Sequence, residues 1–212
     1  MADKYSQKSM LTQPLSSTVI QHVANHCKEN VGFALAYFYF DFTDPIKQKT
    51  SSLIRSFLTQ LSFQLPVCPD VMLRLHAACQ GGSQQASTPD AMKALKSIIG
   101  HFQHVYFIID ALDECFESDQ GELLAVLTEI ADWKLHNLHV LVTSRRGRNI
   151  EKRLTQIASS HTNLDSDLVD EDIRRYLRTT LVKDTRFNIW FAAERQEIED
   201  KLVQGAHGTW VI

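Results

Sequence analysis

Glycine is scarce in this 212-residue chain: it occurs eight times, and not once before Gly32. That excludes a Gly-x-x-x-x-Gly-Lys-Ser/Thr loop near the start, because wrapping phosphates in backbone N–H groups needs glycine. Cysteine is sparse too. Cys27, Cys68, Cys79 and Cys115 form no Cys-x-x-Cys pair, which fits reduced thiols better than a disulfide framework. The start, MADKYSQKSM, has no apolar stretch and so no signal-peptide core. The longest apolar run, VGFALAYFYF at 31–40, is half the length a membrane helix needs. The net charge of −3 argues against a general nucleic-acid or anionic-membrane surface. No repeat of solenoid length occurs. What remains is a chain with 44% apolar residues, enough for one large globular core. It is expected to be cytoplasmic, with protein partners rather than nucleic acid or membrane.

Strand and helix signals alternate. Leu15, Val19, Val23 and Cys27 recur every four positions, so a helix is expected over 14–29, with Pro14 in its first turn. Residues 31–40 read as a buried strand. Leu53, Ile54, Phe57, Leu58 and Leu61 share one face of a helix over about 47–64. A short helix follows over 69–80, then a loop to a helix ending near Gly100, with Thr88 as its N-cap and Pro89 in its first position. Strands are expected over 105–110, 138–146 and, weakly, near HTNLD. Helices are expected over 119–134, 148–158, 168–182 (Ile173, Tyr176, Leu177, Leu181) and about 187–205. This order predicts an α/β fold with a parallel sheet covered by helices, then a helical extension.

The segment VYFIIDALDECF carries the chemistry. Val105, Tyr106, Phe107, Ile108 and Ile109 read as a strand buried on both faces. Asp110, Asp113 and Glu114 follow within five positions. Like charges at a partly desolvated strand end repel, so a positive group should lie nearby, and a metal ion bound to phosphate is the obvious candidate. In parallel sheets ligands bind at the carboxyl ends of strands, and Thr143-Ser144-Arg145 is a second polar end. A buried strand ending in Asp has the shape of a Walker B motif, whose first Asp holds magnesium.

FIIDALDEC resembles the Walker B segment of NACHT-type NTPases of the STAND class. LSSTVIQHV, LVTSRR, LVDEDIRRYL and LVQGAHGTW fit the nephrocystin-like NACHT modules of fungal ankyrin- or WD-repeat receptors, in the same order. The resemblance implies a three-layer P-loop-NTPase-like fold with magnesium and ATP as ligands. It implies Asp110 as the magnesium ligand, Asp113 and Glu114 as the acids that orient water, and Ser144 and Arg145 as the γ-phosphate sensor. Ala111 matches the small residue after the first Asp.

The phosphate cradle does not carry over. Aligned on Leu15-Ser16-Ser17, the lysine slot holds Thr12, the hydroxyl slot Gln13, the next slot Pro14 and the last glycine slot Leu11. Lys8-Ser9 lies four residues too early and has no glycine around it. The apolar strand that should precede the loop is missing as well. In this fold class it lies between the strands at 138–144 and near 162, so its loss opens a gap of roughly 9.6 Å. Three outcomes are expected: the sheet closes up, the N-terminal segment fills the gap poorly, or edges stay unpaired. A marginally stable, aggregation-prone product is expected. GAHGTWVI stops inside a family motif, so the chain reads as a fragment, a splice product or a decayed gene copy.

Plainer readings stand beside these. The three acids could be a solvated loop after a strand. Arg145, Arg146 and Arg148 could be an exposed helix start pairing with Glu151. His22 and His26, four apart, and His101 and His104 lack a third metal ligand. Phe33, Tyr37, Phe38, Tyr39 and Phe40 read as core rather than a stacking platform. Asp170, Glu171 and Asp172 suit a helix start. Cys115 has no partner base and reads as incidental.

The expected organisation is a polar segment over 1–13, a partial NACHT-like α/β domain over 14–166 that lacks its first strand and loop, and a helical extension over 167–212. The expected function is a degenerate, non-hydrolysing signalling or oligomerisation module that forms NACHT–NACHT contacts. One rival is a magnesium-dependent ATPase switch whose phosphate loop lies upstream. Another is a hydrolase using the three acids directly, which lacks extra His or Asp ligands.

Overall fold

Backbone geometry follows the alternation of apolar runs and helical periods closely. The computed structural model describes residues 3–145, 148–163, 174–175, 177–179, 191–205 and 209–211. Helix α1 spans Asp3–Glu29, β1 Phe33–Tyr39, α2 Thr50–Phe63, α3 Asp70–Ala78 and α4 Thr88–Ile99. Strand β2 spans His104–Asp110, α5 Glu117–Asp132, β3 Leu138–Arg145 and α6 Arg148–Ile157. Strand β4 is Thr162–Asn163, α7 Ala192–Gly205 and β5 Thr209–Val211.

The three longer strands form a parallel sheet, with β1 paired to β2 from Phe33↔His104 to Tyr39↔Asp110 and β2 paired to β3 from Val105↔Leu138 to Ile109↔Val142. Side chains alternate across it. Ala34, Ala36, Phe38, Val105, Phe107 and Ile109 face one way and build the core with α2, α4 and α5. Phe57 of α2 stacks on Phe107 with ring centroids 4.2 Å apart, and both side chains are almost wholly buried. Burying a ring of that size stabilises by about 1.5–3 kcal/mol. The opposite face carries Phe33, His104 and Tyr106, and α1 packs over β1 and β2 there, with His26 edge-on to Phe33 and Tyr106. The aromatic run is therefore structural, with Phe38 and Phe40 buried and Tyr37 half exposed.

The outer edge of β1 is sealed by side chains. Gln64 Oε1 accepts from the Leu35 N–H at 3.1 Å and Gln64 Nε2 donates to the Leu35 carbonyl at 2.7 Å. Gln60 does the same for Tyr37, at 3.1 and 2.7 Å. Two primary amides, one from α2 and one from the residue that caps its C-terminal end, thus stand in for a neighbouring strand and block edge pairing.

Several expectations need correction. The first helix starts at Asp3 rather than at residue 14. No glycine or other proline interrupts residues 3–13, so helix propagates upstream of Pro14. Pro14 is then an interior residue that lacks an N–H for the carbonyl four residues earlier, a cost of about 3 kcal/mol. The N-cap of α4 is Ser87, not Thr88: the Ser87 hydroxyl accepts from the Asp90 N–H at 3.3 Å. Thr88 is already helical, and its hydroxyl donates to Glu122 at 2.7 Å. The gap beyond β3 is filled only in part, by a strand not expected there, while Leu138–Val142 have no outer ladder partner among the described residues, in line with the third expected outcome. The C-terminal β5 lies there, antiparallel to β3 (Thr143↔Val211 to Arg145↔Thr209) and to β4 (Thr162↔Val211, Asn163↔Trp210). The helix expected over 168–182 is described only at 174–175 and 177–179, where it is helical; Ile173, Tyr176 and Leu181 lie outside the described residues, as do Arg146 and Asp170–Asp172. No described helix is long and apolar enough to cross a membrane.

Candidate functional site

Asp110 is the last residue of β2, and the sheet delivers it to the rim where the neighbouring strands also end. On the α1 face Asp110 follows His104, Tyr106 and Ile108, so its carboxylate meets α1 rather than solvent and is only 2% exposed. The Ser16 hydroxyl of α1 donates to Asp110 Oδ1 at 2.5 Å. The Thr143 hydroxyl, from the adjacent strand, donates to the same oxygen. Thr143 Oγ1 also accepts from the Ala111 N–H at 3.1 Å. One buried carboxylate therefore joins a helix and two strands, and each charge-assisted hydrogen bond is worth about 1.5–3 kcal/mol.

The chain turns sharply after Asp110. Ala111 sits in the left-handed region at φ 55°, ψ 49°, and a single 3-10 turn over Leu112–Glu114 follows. Leu112 is buried in the core, which projects Asp113 and Glu114 back over the end of β3. Asp113 Oδ1 accepts from the Arg145 N–H at 2.9 Å, and its other oxygen lies 3.6 Å from Arg145 Nε. Ser144 Oγ reaches Asp113 at 3.5 Å. Glu114 lies 3.7 Å from the Arg145 guanidinium and accepts from the Phe42 N–H at 3.1 Å. Burial pushes the Glu114 carboxyl above its ordinary value, and Asp113 adds to that; the Phe42 N–H and Arg145 oppose it.

All five residues singled out from the sequence (Asp110, Asp113, Glu114, Ser144, Arg145) thus converge on one rim. The positive group beside Asp113 and Glu114 is Arg145, within the chain itself, rather than the metal ion the acids alone suggest. Ser16 and the Phe42 N–H were not foreseen as partners. Ser16 stood in the quoted LSS stretch, but a serine within an amphipathic helix gives no sign of what it will face. Gln13, in the aligned hydroxyl slot, lies one helical turn before Ser16, and its side chain is outside the described residues. Cys115 is buried, its Sγ 3.2 Å from the Gln48 carbonyl, and burial pushes its thiol up to about 11, so it is inert at neutral pH. His22 and His26 stay exposed; His104 pairs with His139 at 3.1 Å rather than with His101.

The residues present do not fit a magnesium–triphosphate. Magnesium is usually held by one or two carboxylates together with phosphate oxygens, and the phosphates need a backbone cradle. Residues 6–14, where a cradle would stand, belong to α1. Beyond the first turn an α-helix commits its N–H groups to its own carbonyls, so they cannot point at an anion. Asp110 Oδ1 already accepts two hydroxyls. Among the described residues no group of three or more His, Cys, Asp or Glu side chains is placed to hold a metal ion.

Comparison with curated proteins gives no match, and comparison with solved structures gives none. The family model described as nephrocystin 3, N-terminal, matches residues 8–145, a span that runs from α1 through the acidic rim to Arg145. On that match, which covers well over half of its length, the chain belongs to the nephrocystin 3 N-terminal family.

Proposed function

We propose that this chain is a non-hydrolysing, NACHT-like signalling module of the STAND type, acting in the cytoplasm through protein contacts. In this reading the acids have changed employment. Asp110 ties α1 to β2 and β3, and Asp113 and Glu114 hold the loop after β1 and the end of β3 through Phe42 and Arg145. The observation that carries the reading is Ser16. Its helix runs unbroken through the segment where a phosphate cradle would be needed, and its hydroxyl takes the oxygen a magnesium ligand would offer. Arg145, the sensor by resemblance, is occupied by the same two acids that would orient water. Homotypic contact between copies, as the resemblance implies, is the activity left to such a module.

Calorimetry and thermal melts with magnesium-ATP and magnesium-GTP test this. No saturable heat and no melting shift at millimolar nucleotide are expected. A site filled to a hundred times its Kd would stabilise the fold by about 2.7 kcal/mol and could not be missed. Micromolar binding that disappears in Asp110→Ala would overturn the proposal. It would favour the ATPase switch, which draws on the convergence of Asp113, Glu114 and Arg145; transcript sequence upstream of Met1 encoding Gly-Lys-Ser/Thr in frame would then supply the cradle.

A further inference from the structure

The end of the sheet opposite the acidic rim carries a second polar cluster. His104 is the first residue of β2 and Asp110 the last, so the two ends lie roughly 20 Å apart. Register sets His139 of β3 beside Tyr106, and the pleat points both, with His104, to the α1 face. His104 Nδ1 and His139 Nε2 stand 3.1 Å apart. The Phe33 and His104 rings meet edge to face with centroids 4.6 Å apart, and Tyr106 lies against the His139 ring at 4.8 Å. His139 is exposed and His104 half-buried, and among the described residues no carboxylate, hydroxyl or backbone group hydrogen-bonds either imidazole. The ladder from β1 through β2 to β3 fixes both backbones, so the pair owes nothing to what lies beyond β3.

We propose that His104 and His139 form a reversible site for an imidazole-preferring divalent cation of the zinc(II) type, which clips β2 to β3 at this end while water completes its coordination. Two nitrogens each about 2.0–2.1 Å from a tetrahedral zinc lie about 3.3–3.4 Å apart, close to the separation already present. The rings meet nearly edge to edge, with centroids 5.3 Å apart, and turn their facing lone pairs outward to meet at the ion. Neutral imidazole binds a metal through either nitrogen. The proton that a neutral pair shares between its facing nitrogens moves to the outer nitrogen of the ring that carried it, so both inner lone pairs become available and no proton is released. Adjacent strands and the two aromatic neighbours hold the ligands before the ion arrives, which limits the freedom lost on binding. With two protein ligands the site is open, so its ion exchanges, unlike the ion of a closed four-ligand structural site. Imidazole suits zinc and oxygen suits magnesium, so the proposal stands or falls separately from the reading of the acidic rim.

The test titrates the full chain with zinc chloride at pH 7.5, by calorimetry and by NMR of the imidazole nitrogens. Saturable binding below millimolar zinc is expected, with the largest shifts at His104 Nδ1 and His139 Nε2, and magnesium chloride should produce neither. His104→Gln and His139→Gln, each with an unchanged melt in the absence of zinc, should weaken this site about tenfold or more. Cys68→Ser and Cys79→Ser remove two thiols that could also take zinc and should leave both imidazole shifts as they are. The nitrogen shifts are read on the unaltered chain, so a histidine variant that fails to fold does not spare the proposal. No binding at millimolar zinc, zinc affinity unchanged in both glutamine variants, or shifts confined to other histidines would overturn it.

Discussion

Removing the Ser16 hydroxyl tests whether the acidic rim is an internal clamp. Ser16 and Asp110 are each 2% exposed, and their hydrogen bond is 2.5 Å long. No water can replace the lost donor without rearrangement, so Ser16→Ala should cost about 2 kcal/mol, the middle of the range for a bond to a charged acceptor. For a chain of this length that is roughly 4–8 °C in melting temperature. Asp110→Ala should cost more, because the Ser16 and Thr143 hydroxyls both lose their acceptor. The double variant should cost less than the two single changes together, with a coupling of about 1–2 kcal/mol. Urea denaturation of all four proteins gives the coupling, and hydrogen exchange over 16–29 should quicken in Ser16→Ala as α1 loosens. A rim of repelling carboxylates awaiting a cation makes the opposite forecast: Asp110→Ala would then relieve repulsion and raise the melting temperature. That rise, or a coupling of zero, would refute the clamp.

Two further outcomes follow from the same rim. Burial raises the Glu114 carboxyl above its ordinary 4.5, so its contribution to stability is fully present below that value and lost as pH rises through the folded-state value. Glu114→Gln keeps an acceptor for the Phe42 N–H but does not titrate, so the variant should gain stability relative to the parent between pH 4 and 7; urea midpoints across that range check this, and a constant or shrinking difference would contradict it. Ala111 holds a left-handed conformation that costs an L-residue about 1–2 kcal/mol. Ala111→Gly should therefore raise stability by about 0.5–1 kcal/mol net of the extra freedom of its unfolded chain, and Ala111→Val should lower it; a destabilised glycine variant would show that the turn is not strained.

Much of the sheet was legible because its signals are local. The run before Asp110 is apolar at every position, which marks a strand covered on both sides, and that is how β2 is buried. The convergence of Asp113 and Glu114 on Arg145 was readable by combining two strand ends with the rule that parallel strands end on one rim. The partners of Asp110 were not all readable. Thr143 sits at a strand end, but Ser16 reaches the rim from 94 positions away through the packing of α1, and no periodicity encodes which helical serine will point inward. Pro14 favours a first turn, but helix propagation overrides that preference and carries α1 back to Asp3. A strand as short as Thr209–Val211 carries almost no sequence signal, and its place is set by pairing with β3 and β4.

That last pairing has a consequence for how the protein is made. Thr143 meets Val211, which is synthesised 68 positions later. At translation speeds of about 5–20 residues per second, the upper edge of β3 waits roughly 3–14 s after it leaves the ribosome before its neighbour exists. During those seconds β1 and β2 can already have closed their ladder, with Gln60 and Gln64 guarding one flank while the other flank stays open. The nascent chain is thus most vulnerable to mispairing on the β3 side, and codon choice over 146–208 sets how long that vulnerability lasts.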